Sequence, residues 1–375
     1  MNRKIYLDYN ASTPIAPDVV GAMRPFLTEH FGNPCSLHWA GIHARAAVER
    51  ARQQVAESLG CDPAEIVFTS GGSEANNHAL KGVFFAKQGK GNHIITTAVE
   101  HPSILNPCRF LEKLGANITI LPVDRFGRVD PADVRHSIMP GTIIISVMHA
   151  NNEVGTIQPL PEISAIAREA GIILHTDAAQ SIGKIPAMVD ELGVDLLSIA
   201  GHKLYAPKGG GALFIRKGTE IAPLIHGADH EQGRRAGTEN VLFAVALGAA
   251  CSLAQRWTGM PQVLALRDRF WQKLQETFGK GVALNGHPTE RLPNTLNVTF
   301  IGRSGADLLK HIPSVAASTG SACHSGTATL SPVLVAMGIA PEIGMGAVRF
   351  SLGRYTTEEE IEEVLALLRN IHSKA

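Results

Sequence analysis

Aromatic residues are scarce, at 5% of the 375 residues, while glycine is plentiful at 37. That balance fits an α/β protein better than a β-sandwich. Net charge is also missing. Lysine plus arginine equals aspartate plus glutamate, 34 of each, and no long run of one sign occurs, which argues against nucleic acid as the main partner. No apolar stretch is long enough to cross a bilayer, so no membrane association is expected. The opening MNRKIYLDYN lacks the apolar run of a signal peptide. Cysteines stand at 35, 61, 108, 251 and 323, an odd number with no CxxC pair. This excludes a disulfide framework and a zinc site as first expectations, and points to a reducing cytoplasm. No metal is expected.

What is present organises itself around Leu196–Gly211, LLSIAGHKLYAPKGGG. The apolar Leu196–Ile199 reads as a buried parallel strand that stops at Gly201. His202 and Lys203 follow at once, then Pro207 and three glycines. A lysine at the carboxyl end of a buried strand is costly unless something uses it. Such edges bind ligands in open α/β sheets, and a partly desolvated amine is a nucleophile suited to a Schiff base. A surface lysine lying along a glycine turn explains this stretch alone equally well.

Along the chain, strands are expected at Lys4–Asp8, Glu65–Thr69, Asn92–Thr97, Ile118–Val123, Thr142–His149 and Gly171–Thr176. Helices are expected at Pro17–His30, Ala44–Leu59 and Leu160–Ala170, with Gly60 ending the second. Ser70-Gly71-Gly72-Ser73-Glu74 follows a strand and opens a helix, the geometry that holds a phosphate on free N–H groups; a plain N-cap by Ser70 or Ser73 is the alternative. Carboxyl-end loops of a mostly parallel sheet converge. His101, Asn152, Asp177, Gln180 and Lys203 are therefore expected in one pocket, although each alone could be a cap or turn former. Further on, helices are read at Val241–Trp257, Pro261–Phe278, Gly305–His311 and Thr356–His372, the last with a capping box at Thr357-Glu358-Glu359-Glu360. Strands are read at Thr295–Phe300, Val315–Ser318 and Val348–Ser351, and Thr319–Pro332 is a loop carrying Cys323.

Taken together, LDYNASTP, FGNPCS, TSGGSEANN, EHPSIL, HANNEVG, HTDAAQSIGKIP, GHKLYAPKGGGAL, RRAGTEN, LPNTLN, GSACHSG and RFSLGRYTTEEEI span Leu7 to Ile361. In combination they resemble the cysteine desulfurases of the NifS/IscS type, in the class V aminotransferase-like group of pyridoxal 5'-phosphate (PLP) enzymes. Selenocysteine lyases are close relatives.

That resemblance implies the aspartate aminotransferase-like fold, type I, of PLP-dependent transferases. It has a large domain with a mostly parallel seven-stranded sheet, expected at 16–257, and a smaller α/β domain, expected from 1–15 and 258–375. It implies PLP as cofactor on Lys203, with Asp177 paired to the pyridine nitrogen, His101 stacked on the ring and shuttling protons, Gln180 on the ring hydroxyl oxygen and Asn152 beside it near the substrate. Gly72, Ser73 and His202 would take the phosphate. Thr238 would reach the phosphate of a neighbouring subunit's cofactor, which implies a homodimer. The family has serine where this chain has Ala200, so one hydroxyl contact to the phosphate is missing. Arg354 would clamp the substrate carboxylate with its two-pronged guanidinium, and Cys323 would be the nucleophile that carries a persulfide outward. The implied reaction converts L-cysteine to L-alanine and hands sulfur to an acceptor protein. A selenocysteine lyase is the nearest rival, because Ala200 and CHSGTATLSPVL resemble that subgroup while Pro102 does not; an aminotransferase is a further one, without use for Cys323. Among the other cysteines, Cys61 and Cys251 read as buried, and Cys35 sits in a loop facing the pocket.

Overall fold

The computed structural model describes residues 3–319, 321–324 and 327–372, with the backbone alone for 321–324, 327–329 and 372. A seven-stranded sheet dominates it. Its strands run, edge to edge, Ile66–Thr69, Gly211–Ile215, Leu196–Ala200, Ile173–Asp177, Thr142–Ser146, His93–Thr97 and Asn117–Leu121. Only Gly211–Ile215 is antiparallel to its neighbours. The strands are short and apolar because both faces are covered. Ile94, Ile144 and Leu196 point to one face, packing with the helix Gly72–Ala86. Their chain neighbours Ile95, Ile145 and Leu197 point to the other, packing with the helices Trp39–Leu59, Leu160–Ala170 and Val241–Arg256.

A second sheet has the order Ser318–Thr319, Ala347–Ser351, Thr295–Phe300, Val282–Asn285, all antiparallel. Helices Met260–Phe278, Gly305–His311 and Glu358–His372 supply its core with Phe270, Leu274, Leu308 and Leu365. The Ile5–Tyr6 strand joins this side by pairing with Val315–Ala316. The capping box on the last helix is made: Thr357 N–H donates to Glu360 Oε2 (3.1 Å) and Glu360 N–H to Thr357 Oγ1 (3.3 Å).

Several expectations are corrected. Pro25 cannot continue a helix interior, so the expected Pro17–His30 helix divides into Pro17–Met23 and Pro25–Thr28. Gly211 is no loop residue but opens a strand, and only glycine fits there. A Cβ would lie 2.5 Å from the Ile199 carbonyl oxygen and 2.6 Å from Gly71 Cα. The Thr319–Pro332 loop contains a hairpin, Ser321–His324 against Thr327–Leu330. Val282–Asn285 is a strand that the pattern did not announce. Cys61 is only half-buried, whereas Cys108 and Cys251 are buried. No single helix among the described residues is long and apolar enough to cross a membrane.

Candidate active site

A cleft of about 520 Å³ opens at the carboxyl edge of the large sheet. His101, Asn152, Asp177, Gln180 and Lys203 all line it, together with Gly72, Ser73 and His202. Each stands at a strand's carboxyl end or on the segment that follows it, so the parallel topology itself gathers them.

Lys203 sits on the short turn after Leu196–Ala200. Its Nζ donates to the Asn10 carbonyl oxygen at 2.7 Å. Among the described residues no carboxylate lies within ion-pair distance of it. Burial, and then the nearby Arg349, push the amine down to about 8 from its ordinary 10.5. Such an amine is a nucleophile near neutral pH. Asp177 ends the next strand and is buried. Its Oδ2 accepts from Asn76 Nδ2 (2.7 Å) and its Oδ1 from the Ala179 N–H (2.9 Å).

The same Asn76 nitrogen donates to Ser103 Oγ at 2.8 Å, and Ser103 Oγ lies 2.7 Å from His101 Nδ1. The Ser103 N–H also points at that Nδ1, at 3.1 Å. With two donors aimed at it, Nδ1 bears no proton, so neutral His101 carries its proton on Nε2. Burial lowers its proton affinity, and the Lys203 charge adds to that against the opposing pull of Asp177. His101 thus caps its own helix, Pro102–Glu112, as well as lining the cleft.

The helix Gly72–Ala86 points its N-terminus into the cleft, and neither Ser70 nor Ser73 caps it. Its first N–H groups have no partner inside the helix, which makes this end an anion site. Ser70 instead uses its backbone N–H to donate to Glu74 Oε2 at 2.8 Å. Ala200 forms the floor: a Cβ added to Gly72 would meet the Ala200 Cβ at 3.2 Å. His202 is pushed down to about 4, by burial first and by the positive charges of Lys203 and Lys208 next, so it is a neutral donor.

Arg354 is not in this cleft. It lines a narrow adjoining cavity that shares Lys203 as its wall. Its guanidinium lies 4.9 Å from the Tyr205 ring centroid and 4.6 Å from that of Trp257. Its Nε is buried without a hydrogen-bond partner. The Tyr205 hydroxyl accepts from the Arg354 backbone N–H at 2.7 Å. Tyr205 holds this place at φ 63°, a left-handed conformation unusual for a tyrosine. Thr238 is exposed and lies away from the cleft. Cys35 does not line it either; it is exposed, with its thiol 3.7 Å from Glu239 Oε2. The side chain of Cys323 lies outside the described residues; its backbone pairs with Ala328 in the hairpin.

Four contributors lay in quoted motifs without being singled out. Asn10 belongs to LDYNASTP, Asn76 to TSGGSEANN, Lys184 to HTDAAQSIGKIP and Arg349 to RFSLGRYTTEEEI. Arg349 ties the second sheet to the cleft, donating to Asp8 Oδ1 (2.6 Å), Ser318 Oγ (2.9 Å) and the Asn152 carbonyl oxygen (3.0 Å).

The class-V aminotransferase family model matches residues 5–364. A curated relative from Dictyoglomus turgidum, named cysteine desulfurase IscS, is 50% identical over all of this chain and 96% of its own length. The chain belongs to the class-V aminotransferase family, among its cysteine desulfurases. A solved NifS-like protein superposes with a TM-score of 0.93 at 36% identity, covering 99% of this chain and 100% of its own. A second structure, SspA in complex with cysteine, gives 0.84 at 37% identity, covering 94% of this chain and 100% of its own. The seven-stranded α/β architecture is that of the family.

The donor set fits the cofactor that the family uses. A phosphate needs uncapped N–H groups, found at Gly72 and Ser73. A protonated ring nitrogen needs a buried carboxylate, found at Asp177. An aldehyde needs an amine of lowered proton affinity, found at Lys203. No described side chain occupies the space between them.

Proposed function

We propose that this chain binds PLP through Lys203 and converts L-cysteine to L-alanine, passing the sulfur to Cys323. The observation that carries this reading is the Lys203 amine, pushed down to about 8, facing one cleft with Asp177, His101 and an uncapped helix N-terminus. When bound, PLP supplies a ring that withdraws electrons from the substrate Cα. Asp177 holds positive charge on the ring nitrogen. Gln180 donates to the ring hydroxyl oxygen. Gly72, Ser73 and His202 bind the phosphate, and Thr238 serves that of a second copy in a homodimer. Asn152 stands beside the substrate. Arg354 receives the substrate carboxylate, with its guanidinium over the Tyr205 and Trp257 rings and its Nε unpaired. Lys203 Nζ takes the Cα proton, and His101, with its proton on Nε2, shuttles protons nearby. The Cys323 thiolate attacks the substrate sulfur. An S–S bond forms as the substrate Cβ–S bond breaks, the carbon keeps the electron pair and gains a proton, and a persulfide is left for an acceptor protein.

We assign the large PLP-binding domain to 16–257 and the small one to 1–15 with 258–375, and place the enzyme in the cytoplasm. Borohydride reduction of the PLP-loaded protein should fix the cofactor on Lys203; a label on another residue rejects this lysine. Cys323→Ser should still bind PLP yet release no sulfur from cysteine; unimpaired release rejects the nucleophile. Alanine release from cysteine should exceed that from selenocysteine; the reverse makes the enzyme a selenocysteine lyase.

A further inference from the structure

Behind the cleft lies a second lysine that the proposed chemistry does not use. Lys184 directs its Nζ inward, donating to Gln180 Oε1 at 2.7 Å and to Asn10 Oδ1 at 3.2 Å. Among the described residues no carboxylate lies within ion-pair distance of it. Both of these partners are amide oxygens, which can only accept, so Lys184 stands as the donor in each contact. Burial drives Lys184 well below the ordinary lysine range, with the charges of Lys203 and Arg349 adding to the effect.

Asn10 joins the two lysines. It is 1% exposed, and every polar group it has is bonded. Its carbonyl oxygen accepts from Lys203 Nζ (2.7 Å) and from Gln180 Nε2 (2.9 Å). Its Oδ1 accepts from Lys184 and from Asn294 Nδ2 (3.0 Å), which fixes the amide's orientation. Its Nδ2 donates to Thr295 Oγ1 (2.8 Å) and the Asn152 carbonyl oxygen (3.2 Å), and its N–H to Ser351 Oγ (2.9 Å). Gln180 is placed by the same logic. Its Oε1 accepts from Lys184 while its Nε2 donates to the Asn10 carbonyl oxygen, which can only accept, so the NH2 group faces Asn10 and the cleft. One of those two N–H groups is taken by Asn10, which leaves one for a ligand.

We propose that Lys184 is a positioning residue: with Asn10 it holds the Gln180 amide so that a donor, not an acceptor, faces the cofactor's hydroxyl oxygen, and it keeps the Lys203 amine on a single carbonyl. This rests on the cleft being the PLP site. Without Lys184 the Gln180 oxygen loses its donor, and only the bond to the Asn10 carbonyl opposes a turn of the amide that would bring that oxygen toward the oxygen it should serve.

The readout is the pH midpoint of the visible absorption of Lys203-bound PLP. A donor on the ring oxygen draws charge away from the neighbouring Lys203 nitrogen and lowers its affinity for a proton, so losing that donor raises the midpoint. The other titratable or charged groups facing this centre are Asp177, His101, His202, Lys208, Glu74, Arg349 and Asp8, and none of them is altered by the substitutions. Lys184→Met should raise the midpoint by about one unit, a tenfold gain in proton affinity, and weaken PLP uptake by apoprotein several-fold. Lys184→Gln, which keeps an N–H toward Gln180, should retain the wild-type midpoint. Equal midpoints in all three proteins overturn the proposal, as does a shift in the Gln variant as large as in the Met variant. If Lys184→Met does not fold, Gln180→Met takes its place beside Lys184→Gln, with the same upward shift expected and an unchanged midpoint overturning the role. Failure of wild-type protein to take up PLP on Lys203 would instead sink the proposed function.

Discussion

The two sides of the site solve different problems by different means. The side built by the seven-stranded sheet is made of strand-end residues locked in short hydrogen bonds: Asp177 to Asn76, Gln180 to Asn10, Lys203 to Asn10. The side reached by Arg354 has no such lattice. Its guanidinium carbon lies over two aromatic rings, and its Nε is unpaired. A group that must sit still through every turnover suits the first arrangement. The proposed role of Arg354, to meet and release a small carboxylate, suits the second, because contact with ring faces does not consume its N–H donors.

That contrast can be broken most directly at Lys203. Lys203→Ala should lower kcat by at least about 10³-fold, measured as alanine release with saturating PLP, since it removes both the proposed anchor and the proposed base. A residual rate within tenfold of wild type would remove the sheet side from the chemistry. Arg354→Gln should raise KM for cysteine and cost about 10–100-fold in kcat/KM, while leaving PLP binding unchanged. A drop in PLP affinity of similar size would erase the division of labour between the two sides.

A smaller effect comes from Glu100, beneath His101. Burial pushes its carboxyl up to about 8 from an ordinary 4.5. Oε1 accepts from Thr97 and from the Met148 N–H, while Oε2 has no partner. Between those two pH values the folded chain keeps a proton that the unfolded chain sheds, so this group's contribution to stability falls as pH rises through that window. Glu100→Gln should therefore melt higher than wild type by a few degrees near pH 8 and lose that advantage near pH 5. A gap that does not change with pH would show that the carboxyl is ionised in the fold. The smallest expected change is at Ala200→Ser, which adds a hydroxyl under Gly72. It should tighten PLP binding by about three- to tenfold in fluorescence titration, the worth of one hydrogen bond; a loss of affinity would mean that the floor has no room for it.

The large sheet was legible in the sequence because buried parallel strands leave a plain signature: short apolar runs, each ending in polar residues. The convergence of His101, Asn152, Asp177, Gln180 and Lys203 followed from that topology. Less legible was anything that depends on partners far apart in the chain. Nothing local in Asn10 or Lys184 says that they meet, since the contact spans 174 residues. Gly211–Ile215 was hidden by the glycines before it, which read as loop although the first residue of the strand needs glycine for a backbone contact. The position of Arg354 against Tyr205 and Trp257 depends on side-chain stacking, which no periodicity encodes. Val282–Asn285 lies at the edge of its sheet, its two middle residues only partly buried, and ends in Asn285, so it lacks the continuous apolar run of a central strand.

The antiparallel return of Gly211–Ile215 has a mechanical consequence. It pairs residue for residue with Leu196–Ala200, from Leu196 opposite Ile215 to Ala200 opposite Gly211. The segment carrying Lys203 is therefore clasped at both ends by one ladder, like a ring mounted on a double band. Whatever the amine lets go of during a cycle, its Cα stays home, and the four-carbon arm always swings back over the same spot.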